Sequence, residues 1–269
     1  MLDLSAHLLP GVPGGPDTMD EALDMARAMA EAGTTSVVAT PVLEDADTGV
    51  LVAAAEARDA LDAALAEAGI GLDVLPGAEL SMDALEGLSD DALQQATLGH
   101  GGRWLLLALP EAGWPIQLPQ RMRALEMQGL GIILAHVEQA ESVQLSPDRL
   151  RDLIGRGALA QVDAASFGGW HGPRAERAAY GLMRNGMVTF IASGASAGAP
   201  YPQGLAEGVD AAEAVLRQPR EAVMWMVDAG PQQVIAGQPV RAPRLVPVPR
   251  GGWQQDERPA AGREGSPGR

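Results

Sequence analysis

Leu2-Asp3-Leu4-Ser5-Ala6-His7, running on into Leu9-Pro10-Gly11, is the stretch whose reading decides the fold. It is a short apolar run that ends in a histidine, and two later segments repeat the plan. The third apolar segment ends in Leu75-Pro76-Gly77-Ala78-Glu79, and the fifth is Ile132-Ile133-Leu134-Ala135-His136. Working outward, seven such segments read as strands, at about 2–6, 35–40, 72–76, 104–109, 131–135, 158–163 and 187–192.

Helical patterns lie between them. Thr18 is placed to cap a helix running to about 32, with Glu21 completing a capping box and Gly33 ending it. Further helices fit about 50–68, 117–128, 146–156, 173–185 and 204–217, with Ser146-Pro147 as an N-cap followed by proline at the first helical position. About 82–100 is irregular and holds a short helix. Strand-then-helix alternation means parallel pairing with right-handed crossovers. Seven repeats predict an α/β fold, a distorted (β/α)7 TIM-like barrel over residues 1–237. Residues 238–269 are rich in Pro, Gly and Arg without apolar periodicity and read as a disordered tail.

A chain of 269 residues can bury a sizeable core, and 46% hydrophobic with 20% charged residues is ordinary for a soluble globular protein. Aromatics make up only 3%, so the core rests on Ala, Leu, Val, Ile and the 11 Met. The net charge of −16 argues against nucleic acid or an anionic membrane surface as a partner. All 19 basic residues are Arg, which excludes a lysine Schiff base, and the absence of Cys removes disulfides, thiolate ligands and cysteine nucleophiles. No apolar run reaches membrane-span length, and the N-terminus lacks the order of a signal peptide, so a cytoplasmic location is expected.

In a barrel of parallel strands the strand ends converge on the face where active sites are built. Read together, these ends resemble the PHP superfamily (polymerase and histidinol phosphatase), and within it the CpsB-like manganese-dependent protein-tyrosine phosphatases of bacterial capsule and exopolysaccharide systems. That family opens D-x-H-x-H-x-L-P-G-x-D-D-G, where this chain has Asp3, Ser5, His7, Leu9-Pro10-Gly11 and Pro13-Gly14-Gly15. Its A-T-P-H-H appears as Ala39-Thr40-Pro41-Val42-Leu43, and its P-G-x-E is intact as Pro76-Gly77-Ala78-Glu79. Its L-A-H-P-E-R becomes Leu134-Ala135-His136-Val137-Glu138-Gln139, and its I-A-S-D-A-H becomes Ile191-Ala192-Ser193-Gly194-Ala195-Ser196.

The resemblance implies a phosphoric monoester hydrolase whose clustered metal ions are held by His and carboxylates. At the matching positions this chain has Ser5, Gly14, Val42, Ala108, Gly194 and Ser196, leaving His7, Glu79 and His136 as candidate ligands. Gln139 and Trp170 stand where phosphate-binding arginines are expected. Two His and one Glu are a known set for one catalytic divalent ion, Mn or Zn, in a site completed by water. A second cation to clamp the attacking and leaving oxygens would be missing. The expectation is therefore a degenerate member with impaired or lost phosphatase activity, holding one divalent metal or none. The alternative is an active phosphotyrosine phosphatase with a reduced metal site.

The expected partner is a tyrosine-phosphorylated protein or a polysaccharide-assembly protein. Trp170 and His171, in the loop after the sixth strand, are the candidate substrate-binding residues, although His171 and His100 read as solvent-exposed in Gly-rich loops. Each surviving ligand also has a plain structural reading. His7 is a hydrogen-bonded loop histidine, Glu79 is a cap of the next segment, and His136 is a buried polar group held by Glu138, Glu79 or water. A metal-independent site using His136 with Glu138 or Glu79 as acid and base is a third reading. Ser193 and Ser196 lack a G-x-S-x-G elbow and are set aside as nucleophiles.

Overall fold

The computed structural model describes residues 1–110, 113–199 and 204–243. Nine strands occur in it: β1 Leu2–Ala6, β2 Ser36–Ala39, β3 Val42–Leu43, β4 Asp73–Leu75, β5 Glu79–Leu80, β6 Trp104–Ala108, β7 Gly131–Ala135, β8 Leu159–Asp163 and β9 Phe190–Ala192. All pairings between them are parallel. Each of the seven expected strand regions is occupied, and two further two-residue strands, β3 and β5, follow the second and third of them after a break. Pro41 follows β2 and Pro76 follows β4, and a proline supplies no N–H to a ladder. Past each break the chain leaves one sheet and joins the other. The three-stranded sheet runs β1-β2-β4, and the six-stranded sheet runs β3-β5-β6-β7-β8-β9. Beyond β9 the chain returns to β1 through a parallel bridge between Ala6 and Ala195.

Gly77 makes the second break possible. A Cβ there would lie 2.6 Å from Val38 Cγ1, so only glycine lets the turn press against β2.

The alternation of strand side chains sorts the core into layers. Leu105, Leu107, Ile132, Leu134, Val162 and Ile191 pack with helix residues such as Leu85, Leu118, Leu150 and Leu182. The intervening residues Leu2, Leu4, Val38, Trp104, Leu106, Ile133, Ala135 and Phe190 form a separate cluster drawn from β1, β2, β6, β7 and β9. Full burial of each Leu or Ile contributes roughly 1.5–3 kcal/mol.

The helices follow the sequence closely at their starts and stops. Met19–Glu31 has the expected capping box, in which Glu21 N–H donates to Thr18 Oγ1 while the Glu21 carboxylate accepts from the Thr18 N–H. Gly33 follows with φ of 89°. Gly49–Ala68, Leu118–Met127, Gly172–Arg184 and Ala206–Leu216 fall where expected. Two expectations need correction. Ser146 precedes Pro147–Gly155 but its side chain makes no capping hydrogen bond, because it also closes the preceding helix Glu141–Leu145 with ψ of 71°. The irregular segment carries two short helices, Met82–Gly87 and Asp90–Gln95, capped by Ser81 and Ser89, then a 3-10 turn at Leu98–His100.

The expected tail, 238–269, lies outside the described residues from 244 onward. Its first residue is tied to the fold, since Trp104 Nε1 donates to the Gln238 carbonyl at 2.9 Å. Among the described residues no helix is long and apolar enough to cross a membrane.

Candidate metal centre

His7 is the residue after β1. Its Nδ1 lies 2.8 Å from the Thr40 carbonyl oxygen. A carbonyl only accepts, so Nδ1 donates to it and Nε2 is the nitrogen left to face Glu79. That Nε2 is 3.9 Å from Glu79 Oε2, and His136 Nε2 is 3.6 Å from Glu79 Oε1. The structure thus brings together all three candidate ligands. Glu79 does not cap the segment that follows it, because Ser81 does so by accepting from the Ala84 N–H. His136 adopts φ of 32°, a left-handed conformation that costs a non-glycine residue on the order of 1–3 kcal/mol.

Three further residues meet at the same mouth. Glu138, Asp163 and His171 each offer an atom within 4.8 Å of the others. Glu138 Oε1 accepts from the Asp163 N–H at 3.1 Å and from the Ser166 hydroxyl at 2.6 Å. Ser166 Oγ in turn lies 2.9 Å from His171 Nδ1, and Gln139 Nε2 donates to Asp163 Oδ2 at 2.7 Å. Asp3, within β1, accepts from the N–H groups of Ser5 and Ser193 with Oδ1.

The electrostatics are those of carboxylates without cations. Burial pushes Asp3 up to about 6, raises Glu79 and Glu138, and holds Asp163 well above the usual carboxylate range. At Asp163 the charges of Glu138, Glu79 and Asp3 add to that effect. Desolvation lowers His136 and His171, favouring the neutral imidazole that coordinates metal. Each of the four carboxyl groups keeps one buried oxygen without a hydrogen-bond partner: Asp3 Oδ2, Glu79 Oε2, Glu138 Oε2 and Asp163 Oδ1. Orphaned buried acceptors are costly, and a divalent cation is a partner that suits all of them. The residues present fit a metal.

The substituted positions are also explained locally. Ser5 Oγ faces Thr40 Oγ1 at 3.3 Å. Val42 pairs with Glu79 across the sheet and Ala108 pairs with Ala135, with only hydrocarbon to offer. A Cβ on Gly14 would meet both His7 Nδ1 and Val42 Cγ2 at 3.0 Å. Ser193 is fully buried and donates to the Ser5 carbonyl, which suits its exclusion as a nucleophile.

A profile of capsular polysaccharide synthesis proteins, CpsB/CapC, matches residues 1–216. The chain belongs to the CpsB/CapC family. It is 28% identical to the tyrosine-protein phosphatase YwqE of Bacillus subtilis over 199 residues, covering 72% of this chain and 77% of YwqE. It is 25% identical over 201 residues to CapC of Staphylococcus aureus, which carries the name of a tyrosine-protein phosphatase, covering 72% and 76%. In three dimensions it matches a crystal structure from the pair YwqE of Bacillus subtilis and CpsB of Streptococcus pneumoniae, unique metal-dependent tyrosine phosphatases. The TM-score is 0.78 at 24% identity, over 93% of this chain and all of the other.

The sequence reading counted three donors at this mouth, and the structure places more there. The sequence offers Glu138 as a partner for His136 or as an acid–base residue and gives Asp163 no role beyond its place in the sixth strand region. Asp163 is the last residue of β8, so the strand-end rule that singled out His7 and His136 points to it as well. The expectation of an exposed His171 is corrected: it is half-buried, with its Nδ1 2.9 Å from the buried Ser166 hydroxyl. His100 is exposed as expected, and Trp170, read as a candidate substrate-binding residue, is exposed as well.

Proposed function

We propose that this member of the CpsB/CapC family folds as a PHP-type (β/α)7 barrel and holds a divalent cation, Mn or Zn, on His7, Glu79 and His136. Its phosphotyrosine phosphatase activity is impaired or lost. The convergence of two imidazole Nε2 atoms on the buried Glu79 carboxylate carries this reading. The layered core supports the barrel, since β1, β2, β6, β7 and β9 contribute to one shared inner cluster.

Bound there, a divalent cation supplies Lewis acidity and lowers the pKa of its water. The chain's own residues set the rest. Thr40 fixes the His7 tautomer, and burial keeps His136 neutral. Trp170, 47% exposed, offers an apolar face beside the mouth for a tyrosyl ring, with His171 at the base of the same loop. Impairment follows from what surrounds that cation. Phosphoryl transfer spreads negative charge over several oxygens and needs preorganised positive groups. Gln139 donates to Asp163, and among the described residues the groups that shift Asp3, Glu79, Glu138 and Asp163 include no arginine. A tyrosine-phosphorylated or polysaccharide-assembly protein is then held at the mouth more readily than it is turned over.

Hydrolysis of para-nitrophenyl phosphate and a phosphotyrosine peptide with Mn²⁺, run beside YwqE, tests this. The expected kcat/KM is about 100-fold or more below that of YwqE, the order lost with one transition-state donor. Any residual rate disappears in Glu79→Gln. A rate equal to that of YwqE supports the fully active alternative. Activity untouched in His7→Ala, Glu79→Gln and His136→Ala rejects the assigned ligands.

A further inference from the structure

We infer that Glu138, Asp163 and His171 form a second divalent-cation site, separate from the His7–Glu79–His136 set and independent of whether that set is occupied. The three offered atoms lie within 4.8 Å of one another. A point equidistant from three atoms 4.8 Å apart is about 2.8 Å from each (4.8 divided by √3). Metal bonds to His and carboxylate run roughly 2.0–2.2 Å. Side-chain shifts below about 1 Å therefore close the shell, and water completes it.

Two buried oxygens point to a ligand independently of that proximity. Glu138 is 0% and Asp163 4% exposed, and Glu138 Oε2 and Asp163 Oδ1 have no hydrogen-bond partner. Their sister oxygens are already anchored. Glu138 Oε1 is fixed by Ser166 and the Asp163 N–H, and Asp163 Oδ2 by Gln139. Ser166 also steadies the His171 ring through Nδ1. Such outer contacts orient metal ligands and leave one oxygen of each carboxylate for the ion.

Gly194 shows how the chain makes room. It sits at φ of 61°, and a Cβ there would lie 2.4 Å from Asp163 Oδ2 and 2.5 Å from Cγ. Asp163 therefore occupies the volume that a side chain at 194 would fill, and the two exclude each other. The acidic group that could have come from the end of the last strand comes instead from the end of β8. An imidazole with two carboxylates and no sulfur suits Mn²⁺, Fe²⁺ or Zn²⁺. The competing explanation is that Glu138 and Asp163 share a proton and bind nothing.

Equilibrium dialysis of the metal-free, full-length protein against Mn²⁺, with bound ion counted by electron paramagnetic resonance, separates these. The wild type is expected to hold two equivalents. Asp163→Asn, nearly isosteric and free of a buried charge, loses one and keeps the equivalent that Glu79→Gln removes. His171→Ala, at the half-buried rim, weakens one equivalent at least tenfold and guards against a folding defect in the first variant. Unchanged stoichiometry and affinity in both Asp163→Asn and His171→Ala overturns the inference in favour of the shared proton. Loss in Asp163→Asn with no change in Glu79→Gln upholds it while rejecting the first ligand set, and no Mn²⁺ bound by wild type rejects both.

Discussion

At the residue scale, Asp3 shows what burial does to a carboxyl group. Its pKa stands at about 6 against an ordinary 3.8, chiefly through burial, while the N–H groups of Ser5 and Ser193 pull the other way. Between those two values the unfolded chain has released the proton and the folded chain has not, so stability falls as pH rises and is flat above about 6. The difference corresponds to about 3 kcal/mol, from 2.2 units at 1.36 kcal/mol each. Asp3→Asn keeps an acceptor oxygen for both N–H groups and removes the titration. Urea unfolding with chelator at pH 4 and pH 7 is therefore expected to show the variant gaining on the wild type as pH rises. Parallel pH dependences would refute the assignment. His136 and His171, held neutral by burial, act in the opposite sense below their ordinary pKa, which is why the comparison is made between variant and wild type.

At the element scale, the strands and long helices were legible because their signals are local. Thr18 and Glu21 cap Met19–Glu31, and the apolar runs at β6, β7 and β8 lie within a residue or so of their expected bounds. The cap is expected to matter for stability alone. Thr18→Ala costs about 1 kcal/mol, lowering Tm by roughly 2–4 °C in a chain of this length, with Mn²⁺ binding unchanged; calorimetry and dialysis on one preparation check both. What the sequence concealed were interruptions and crossings. Past Pro41 and Pro76 the short strands β3 and β5 join the other sheet, a tertiary outcome that periodicity over four to six residues does not encode. The two-helix passage through Met82–Gly87 and Asp90–Gln95 was compressed into one because each helix is little more than a turn and a half.

At the scale of the whole molecule, the account turns on how the strand ends pool their donors. His7, Glu79 and His136 were found from motifs, each at or just past the end of an apolar run. Asp163 shares their place at a strand end, but nothing local marks it or Glu138 as a buried carboxylate with an unpartnered oxygen. That property appears only when β7, β8 and the chain beyond β9 stand side by side. The role of Gly194 is likewise invisible in the sequence, where it reads as a lost ligand rather than as space for Asp163. The four buried oxygens without a hydrogen-bond partner, Asp3 Oδ2, Glu79 Oε2, Glu138 Oε2 and Asp163 Oδ1, are the observation that both proposed cation sites share.

Anomalous diffraction at the manganese edge, from crystals grown in Mn²⁺ at neutral pH, tests this most directly. The account predicts a peak bounded by His7, Glu79 and His136, and a second bounded by Glu138, Asp163 and His171. A map with no peak at either place, and with Glu79 hydrogen-bonded to a protonated histidine, would contradict it.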